Sequence, residues 1–200
     1  MVNNDFFKEV RDYVFNLFKN ELPYEVVYHN FDHTIEVVNA AYEIGTAENI
    51  SNEEMKSLLI AAWFHDTGNI KSYINHEEES KKIVLEFLKD KGFEKEQISS
   101  ILDLIEATKM PQKPQNKLEE IICDADLLHL GKKDFKEKSE LLKLEWELLD
   151  YKNISEFDWC CENENFLNKH SFFTNYAYEN FNKQKIKNIL KYLLLKFAFR

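Results

Sequence analysis

Apolar residues recur every three or four positions along almost the whole chain, and this spacing restricts its fold more than any other feature. Near the start, Val10, Val14 and Leu17 fall on one face of a helical wheel, as in an amphipathic α-helix with one buried side. No segment has the alternating polarity that is typical of a half-buried strand. The four glycines and three prolines are too few for the many tight turns of a sandwich or a barrel. We therefore predict an all-α fold.

Turn and capping residues divide this pattern into separate helices. Ser51 and Glu54 have the spacing of a capping box, which predicts a helix that starts there, and Asn75 is a candidate cap for the following helix. Glycines are expected to end three helices, at Gly68, Gly92 and Gly131. The predicted helical segments are residues 6–18, about 32–46, 51–68, 75–92, 98–105, 118–131, 141–149, 155–167 and 185–199. No repeat or flexible linker separates them, so we expect one domain over residues 1–200.

The composition excludes some classes of protein and partner. With 44% hydrophobic residues the chain can bury a sizeable core, which excludes global disorder. Its 36 acidic and 26 basic residues give a net charge of -10, whereas a protein that binds duplex nucleic acid needs a basic face. We therefore expect no nucleic acid partner. A small anionic ligand held by a local cation is compatible with this balance.

Signals that direct a chain to a membrane or out of the cell are not found in the sequence. Residues 1–10 lack a basic segment followed by an apolar run, and no apolar stretch approaches the length of about eighteen residues that a membrane span needs. Cys123, Cys160 and Cys161 are odd in number and lack CxxC spacing, as expected for reduced thiols. We expect a cytoplasmic protein that does not bind a membrane.

Histidines and acids at helix ends are the residues that suggest chemistry. His65 and Asp66 directly follow a strongly apolar helix, where an unpaired polar group costs several kcal/mol to bury. His33 falls in the first turn of the second helix, and Asp124 and Asp126 lie within an apolar run. Mixed nitrogen and oxygen ligands suit Mn, Fe, Co, Ni or Zn, whereas Mg prefers oxygen. Spacing alone leaves two interpretations open: a divalent metal site, or core histidines and helix-terminal acids held by hydrogen bonds.

The order and context of these residues resemble a known family. His33, the His65–Asp66 pair and Asp126 reproduce the H…HD…D signature of the HD superfamily of metal-dependent phosphohydrolases. The segments YHNFDHT, AAWFHDTG, NHEEES, ATK and CDADLLHLG are similar to those of short bacterial HD proteins, and HSFFT at residues 170–174 is more weakly similar. The main resemblance covers residues 28–131. It implies a single HD-domain helical bundle, with a metal-binding core at about 28–131 and C-terminal helices at 132–200 packed on it.

The resemblance implies that His33, His65, Asp66 and Asp126 bind one divalent cation. Such a cation polarises a phosphoryl oxygen and lowers the pKa of bound water to about 7, which gives Asp66 a direct part in catalysis. Asp124 is then expected beside the ligands, where it orients an imidazole N–H. The residues themselves leave an exchange of Asp124 and Asp126 open.

Five further residues have two interpretations each. His76 begins the fourth helix and either contacts a phosphate, since free N–H groups at a helix start favour anions, or has a structural role. Glu77 is either a general base or a first-turn acid that complements the helix dipole. Lys109 either binds phosphate or satisfies the carbonyls at a helix end. His29 and His170 are either substrate-binding residues of the pocket or core residues.

The function that the resemblance implies is hydrolysis of a small phosphate ester or anhydride, with a nucleotide as the expected substrate and Mn among the candidate metals. A nucleotide-binding HD module without turnover is the first alternative. An HD-type diiron oxygenase is the second, but its H…HD…H…H…D pattern needs one more ligand than the chain offers, since His76 is the one histidine between Asp66 and Asp126. The helices after Gly131 either close the pocket or form the surface of a homodimer.

Overall fold

The computed structural model describes residues 4–198, which fold into nine α-helices and two 3₁₀ turns. The helices are α1 (Asn4–Glu21), α2 (Phe31–Ala47), α3 (Asn52–Phe64), α4 (His76–Leu88), α5 (Lys95–Ala107), α6 (Lys117–Asp126), α7 (Phe135–Leu148), α8 (Glu156–Lys169) and α9 (Asn175–Ala198). The 3₁₀ turns are Thr67–Ile70 and Leu128–Gly131. No strand occurs within residues 4–198, which confirms the predicted all-α fold. The ends of the predicted domain, and the predicted end of the last helix at residue 199, lie outside the described residues.

Side-chain caps set the starts of the two helices that lead to the candidate site. The predicted capping box is confirmed: Ser51 Oγ accepts from Glu54 N, and Glu54 Oε2 accepts from Ser51 N, at 3.2 and 2.8 Å. At the start of α2, the Asn30 side chain accepts from the backbone N–H groups of Asp32 and His33. These bonds satisfy donors that have no partner inside the helix. The Asn30 cap therefore fixes His33 in the first turn of α2.

The three glycines that were expected to end helices all lie beyond the helix ends. α3 ends at Phe64, before Gly68, α4 ends at Leu88, before Gly92, and α6 ends at Asp126, before Gly131. Gly68 lies in the 3₁₀ turn, where a Cβ atom would meet the carbonyl oxygen of His76 at 1.9 Å. A glycine is needed there because the start of α4 packs directly against the backbone of this turn.

α3 is the central helix of the core because it is apolar on all sides over its second half. Leu58, Ile60 and Phe64 are fully buried, and α1, α2, α5 and α6 all pack against α3. A helix that is apolar all round is stable when other helices cover it. His65 and Asp66 therefore follow α3 inside the molecule, where both side chains are buried.

The C-terminal helices are joined to this core through α6 and the second 3₁₀ turn. α9 packs against α8, α2 and the turn Leu128–Gly131, and Leu130 and Phe135 form a second buried cluster with Tyr192 of α9. α9 begins at Asn175, well before the predicted start at residue 185. Among residues 4–198 there is no helix with the length and apolar content to cross a membrane.

Candidate metal centre

Four side chains from three parts of the chain meet at one point inside the bundle. His33 lies in the first turn of α2, His65 and Asp66 follow α3, and Asp126 is the last residue of α6. The Nε2 atoms of His33 and His65 lie 3.5 and 3.2 Å from Asp66 Oδ2. The same two nitrogens lie 3.4 and 3.7 Å from Asp126 Oδ1. The structure thus brings together all four residues that the resemblance implied as ligands.

The atoms that face one another in this cluster fit a divalent cation. His33 Nε2, His65 Nε2 and Asp66 Oδ2 are buried and have no hydrogen-bond partner, and these three residues offer ligand atoms within 4.8 Å of one another. The other ring nitrogen of His65, Nδ1, lies 2.8 Å from the carbonyl oxygen of Ala62, so a proton on Nδ1 leaves the Nε2 lone pair free. Leaving such groups unpaired is costly, whereas two imidazoles and a carboxylate are common ligands of first-row metals.

Hydrogen bonds from α4 hold the His65–Asp66 turn in place. Ser80 Oγ donates to the carbonyl oxygen of His65 at 2.7 Å and accepts from Gly68 N at 2.8 Å. Asn69 Nδ2 donates to the carbonyl oxygen of Asp66 at 3.0 Å. Hydrogen bonds around the residues that bind a metal orient the ligand side chains. Nothing in the local sequence around Ser80 indicates this role, because its partners lie in another element.

The electrostatics of the cluster keep its carboxylates ionised. Burial alone lowers the pKa of His65, but the negative charges of Asp66 and Asp126 outweigh burial and raise this pKa to about 9. Burial raises the pKa of Asp66, yet His65 and the other nearby histidines hold it well below its usual value. The pKa of Asp126 is lowered as well, because its contacts with His33 and His65 outweigh burial. Asp66 and Asp126 are therefore both ionised, which is the form in which a carboxylate binds a cation.

A cavity of about 500 Å³ opens beside the cluster. Asp66 and Asp126 line it on one side, and Lys109, directly after the C-terminal cap of α5, also lines it. Trp146 of α7 and Phe166 of α8 line another part of the wall. The metal cluster is thus open to a ligand-sized space to which both halves of the chain contribute.

The predicted catalytic residues His76 and Glu77 are the first two residues of α4 and both line this cavity. His76 Nε2 lies 3.2 Å from Asp66 Oδ1, and this hydrogen bond outweighs burial to raise the pKa of His76 to about 9. Glu77 is 6% exposed, and its Oε2 atom is buried without a hydrogen-bond partner. A solvated first-turn acid is exposed to water, so the burial of Glu77 favours the interpretation as a base.

The predicted substrate-binding histidines have different positions. His29 lines the cavity, and its Nδ1 atom lies 2.5 Å from Glu145 Oε1. His170 is not among the described residues that line the cavity. Its ring packs edge-on against Phe172 at 4.8 Å, and burial and the charge of Lys185 lower its pKa to about 4. The structure thus brings His29 but not His170 to the candidate site.

Asp124 does not orient an imidazole, which corrects the expected role. Its carboxylate is fully buried and accepts three hydrogen bonds from the segment before α9. The donors are Phe173 N, Thr174 N and Thr174 Oγ1, at 2.9, 2.8 and 2.7 Å. Asp124 therefore fastens the C-terminal segment to α6 on the side away from the metal cluster.

Glu145 is a residue of the site that the sequence analysis missed. It is fully buried in α7 and accepts from the backbone N–H groups of Tyr28 and His29 at 2.7 and 3.0 Å. Burial raises its pKa, but the hydrogen bond and charge of His29 outweigh burial and lower it. A signal was present in the sequence: Glu145 lies three residues after Leu142 and four before Leu149, which is an apolar-face position of the helix.

Gln112 and His129 also lie at the site, and neither was predicted to have a role there. Gln112 Nε2 donates to Asp126 Oδ2 at 3.1 Å from the loop between α5 and α6. His129 lines the cavity, with both ring nitrogens 3.3 Å from the Tyr28 hydroxyl oxygen. Burial lowers the pKa of His129 to about 3. Both residues reach the site through contacts between distant parts of the chain.

Comparison with known families agrees with this geometry. Residues 30–131 match the HD domain family, and these residues are just over half of the chain. The chain belongs to the HD domain family. The matched part of this HD domain contains His33, His65, Asp66 and Asp126, while α7, α8 and α9 lie beyond it.

The fold of this HD domain is also similar to a solved structure. It resembles the crystal structure of a predicted HD superfamily hydrolase from an uncultured Thermotogales bacterium, with a TM-score of 0.60 and 18% sequence identity. The similarity covers 96% of this chain and 91% of the other. At this identity the likeness shows the fold alone. No curated protein matches this HD domain in sequence.

Proposed function

We propose that this protein is a divalent-metal-dependent phosphohydrolase that acts on a small phosphate ester or anhydride, with a nucleotide as the expected substrate. The observation that carries the proposal is the set of three buried ligand atoms without partners, on His33, His65 and Asp66. Membership of the HD domain family supports it. One metal ion per chain and the absence of a nucleic acid or membrane partner remain predictions from the sequence, and the C-terminal helices either close the pocket or form a homodimer surface.

In this proposal His33, His65, Asp66 and Asp126 hold the cation. When bound, the cation supplies Lewis acidity, which polarises a phosphoryl oxygen and acidifies water. Asp66 has one oxygen toward the imidazoles and the other 3.2 Å from His76 Nε2. Asp66 therefore also orients the His76 ring at the edge of the cavity.

In the same proposal, the residues around the cluster act on the water and on the phosphate. Glu77 Oε2 has no partner and accepts the proton of the attacking water. Lys109 neutralises part of the phosphate charge, since it lines the cavity and forms no ion pair with a described residue. The ring of His76, whose Nε2–H is held by Asp66, adds positive charge beside the phosphate. His29, whose ring is oriented by Glu145, lies next to His76 in the cavity wall.

The test combines metal analysis with turnover. Protein purified without chelator is analysed for Mn, Fe, Co, Ni and Zn, and products of a panel of phosphate esters and anhydrides are separated by chromatography with Mn²⁺ present. Asp66→Asn keeps the shape of the side chain and is expected to lose turnover, whereas Asp103→Ala, at an exposed position of α5, is the matched control. Equal turnover by the wild type and Asp66→Asn contradicts the proposal. Ligand binding without turnover indicates a binding module, and two irons per chain indicate a diiron oxygenase.

A further inference from the structure

The cavity beside the metal cluster has an aromatic wall for which the proposed phosphate chemistry has no use. Four rings form it: Tyr73 before α4, Trp146 of α7, Tyr151 after α7 and Trp159 of α8. We name these four residues the aromatic cluster. We infer that this cluster binds a flat aromatic group on the substrate, and that the substrate is a phosphate monoester of an alcohol bearing that group. The inference rests on the proposed function.

The rings of the aromatic cluster touch one another in a continuous series. Tyr73 and Tyr151 have ring centroids 5.5 Å apart, Tyr151 and Trp146 are 5.8 Å apart, and Trp146 and Trp159 are 5.4 Å apart. The interplanar angles of 65°, 61° and 79° are edge-to-face. In this arrangement the rings do not stack face to face, and all four line the cavity, where a flat ligand can contact them.

Hydrogen bonds connect the aromatic cluster rigidly to the metal centre. Trp146 Nε1 donates to the Tyr73 hydroxyl oxygen at 2.8 Å, and this hydroxyl donates to Glu145 Oε1 at 3.0 Å. Glu145 in turn holds His29, whose ring lies 6.2 Å from that of His76. The rings of Tyr73 and Trp146 are therefore ordered before a ligand arrives, which reduces the entropy lost on binding.

Trp159 supplies a second, independent observation. Its side chain is 3% exposed and lines the cavity, and its Nε1 atom has no hydrogen-bond partner among the described residues. A buried indole N–H normally finds an acceptor, and leaving it unpaired is costly. An acceptor atom on the bound aromatic group would pair it, as a heterocyclic nitrogen or a carbonyl oxygen does.

The charges around the cavity favour one phosphate over several. Lys109 is the one lysine or arginine among the described lining residues, whereas Asp66, Glu77, Asp126 and Glu162 bring carboxylates. Of these, Glu162 is already paired with a lysine outside the wall, at 2.6 and 2.7 Å. A cation held by Asp66 and Asp126 can, together with Lys109, neutralise a single phosphate. The further charges of a polyphosphate would lie near the buried Glu77, with no second lysine or arginine among the described lining residues. The volume of about 500 Å³ lies within the range of about 300–1,000 Å³ that is typical of small-molecule sites.

The experiment measures binding, so it does not require turnover. The dissociation constants of 2-phenylethylphosphonate and ethylphosphonate are measured by calorimetry on Mn²⁺-loaded protein. The two ligands share one head group and differ in the ring. We expect 2-phenylethylphosphonate to bind at least about tenfold more tightly, as burial of one ring permits. Equal affinities overturn the inference, and they leave the phosphohydrolase proposal intact if esters are hydrolysed.

Two variants test whether the aromatic cluster causes the difference in affinity between the two phosphonates. Tyr151→Leu is expected to reduce the affinity ratio at least about threefold, since it removes one ring of the aromatic cluster. Tyr178→Leu on α9 is the matched control, because Tyr178 is 56% exposed and Tyr151 is 52% exposed. Tyr178→Leu is expected to keep the ratio. An unchanged affinity ratio in Tyr151→Leu shows that the ring of the ligand binds elsewhere, and it overturns the inference that the aromatic cluster binds it.

The monoester part of the inference is tested by turnover. At a fixed concentration of free Mn²⁺, kcat/KM for adenosine monophosphate is expected to exceed that for adenosine triphosphate at least about tenfold. Equal or greater kcat/KM for the triphosphate overturns this part. If neither compound nor any other ester is hydrolysed, the phosphohydrolase proposal fails, while the phosphonate affinities still decide whether the aromatic cluster binds a ring.

Discussion

Replacement of Asp124 tests whether this residue stabilises the fold or takes part in the metal site. The carboxylate is fully buried, and it pairs Phe173 N, Thr174 N and Thr174 Oγ1. Asp124→Ala removes the acceptor and leaves these donors without a partner inside the protein. The change should therefore lower the stability of the fold and leave the metal cluster intact.

The magnitude follows from the number and burial of the donors. A buried donor that loses its partner costs about 1–3 kcal/mol, and the two donors of Thr174 are in the buried part of the contact. Burial already raises the pKa of Asp124, so ionisation of this carboxyl group carries a desolvation cost that offsets part of the gain. We therefore expect Asp124→Ala to lower the free energy of unfolding by about 2–4 kcal/mol. Asp124→Asn keeps one acceptor oxygen and is expected to cost about 1–2 kcal/mol.

Urea unfolding followed by tryptophan fluorescence measures these differences, and metal content is determined on the same samples. Thr174→Ser keeps the hydroxyl group and should be close to wild type. Thr174→Val loses one of the three bonds and also the bond that the hydroxyl accepts from Ala177 N, so it should cost at least as much as Asp124→Asn. Metal content should stay at the wild-type level in every folded variant. The reasoning is refuted if Asp124→Ala is as stable as the wild type, or if it loses metal while its stability is unchanged.

Three further predictions concern Gly68 in the first 3₁₀ turn, the buried Glu145 and removal of the metal. Gly68→Ala should lower the melting temperature and weaken metal binding, because its Cβ would meet the carbonyl oxygen of His76 at 1.9 Å; a melting temperature equal to wild type contradicts this. Glu145 has a lowered pKa in the folded state, so its contribution to stability is present above the pKa of the unfolded chain, about 4.3, and is lost as pH falls through the folded pKa. Glu145→Gln should flatten the decline of stability that sets in as pH falls below about 4.3 in urea titrations. Chelation of the metal should lower the melting temperature of the wild type but not of Asp126→Ala, since a ligand of the folded state stabilises by about 2.7 kcal/mol at 100 times its Kd.

Local features of the sequence were sufficient for the helices and for most of the cluster. The capping box at Ser51 and Glu54 formed as predicted because both partners lie within one turn of the same helix. The order of the histidines and acids likewise led to the residues that meet in the structure. The helix ends were less accurate where a glycine served close packing: Gly68 stands where α4 touches the backbone, and this contact is not encoded locally.

The choice between Asp124 and Asp126 shows why the full arrangement of the site could not be predicted from the sequence. Residues two apart on an α-helix point about 200° away from each other, so one of the two acids had to face away from the site. The sequence does not say which face of α6 meets the imidazoles. The packing of α6 against α2 on one side and the segment before α9 on the other decided it.

The amino-acid sequence by itself determined the helical class, because this class depends on residue types and on spacing within single helices. The candidate ligands were implied by the resemblance of the ordered histidines and acids to the HD family. The tertiary structure alone decided that Glu145 orients His29 and that the rings of α7 and α8 line the cavity. Glu145 and His29 are 116 residues apart. Contacts over such distances depend on how whole helices pack, and the period of any one helix does not fix that packing.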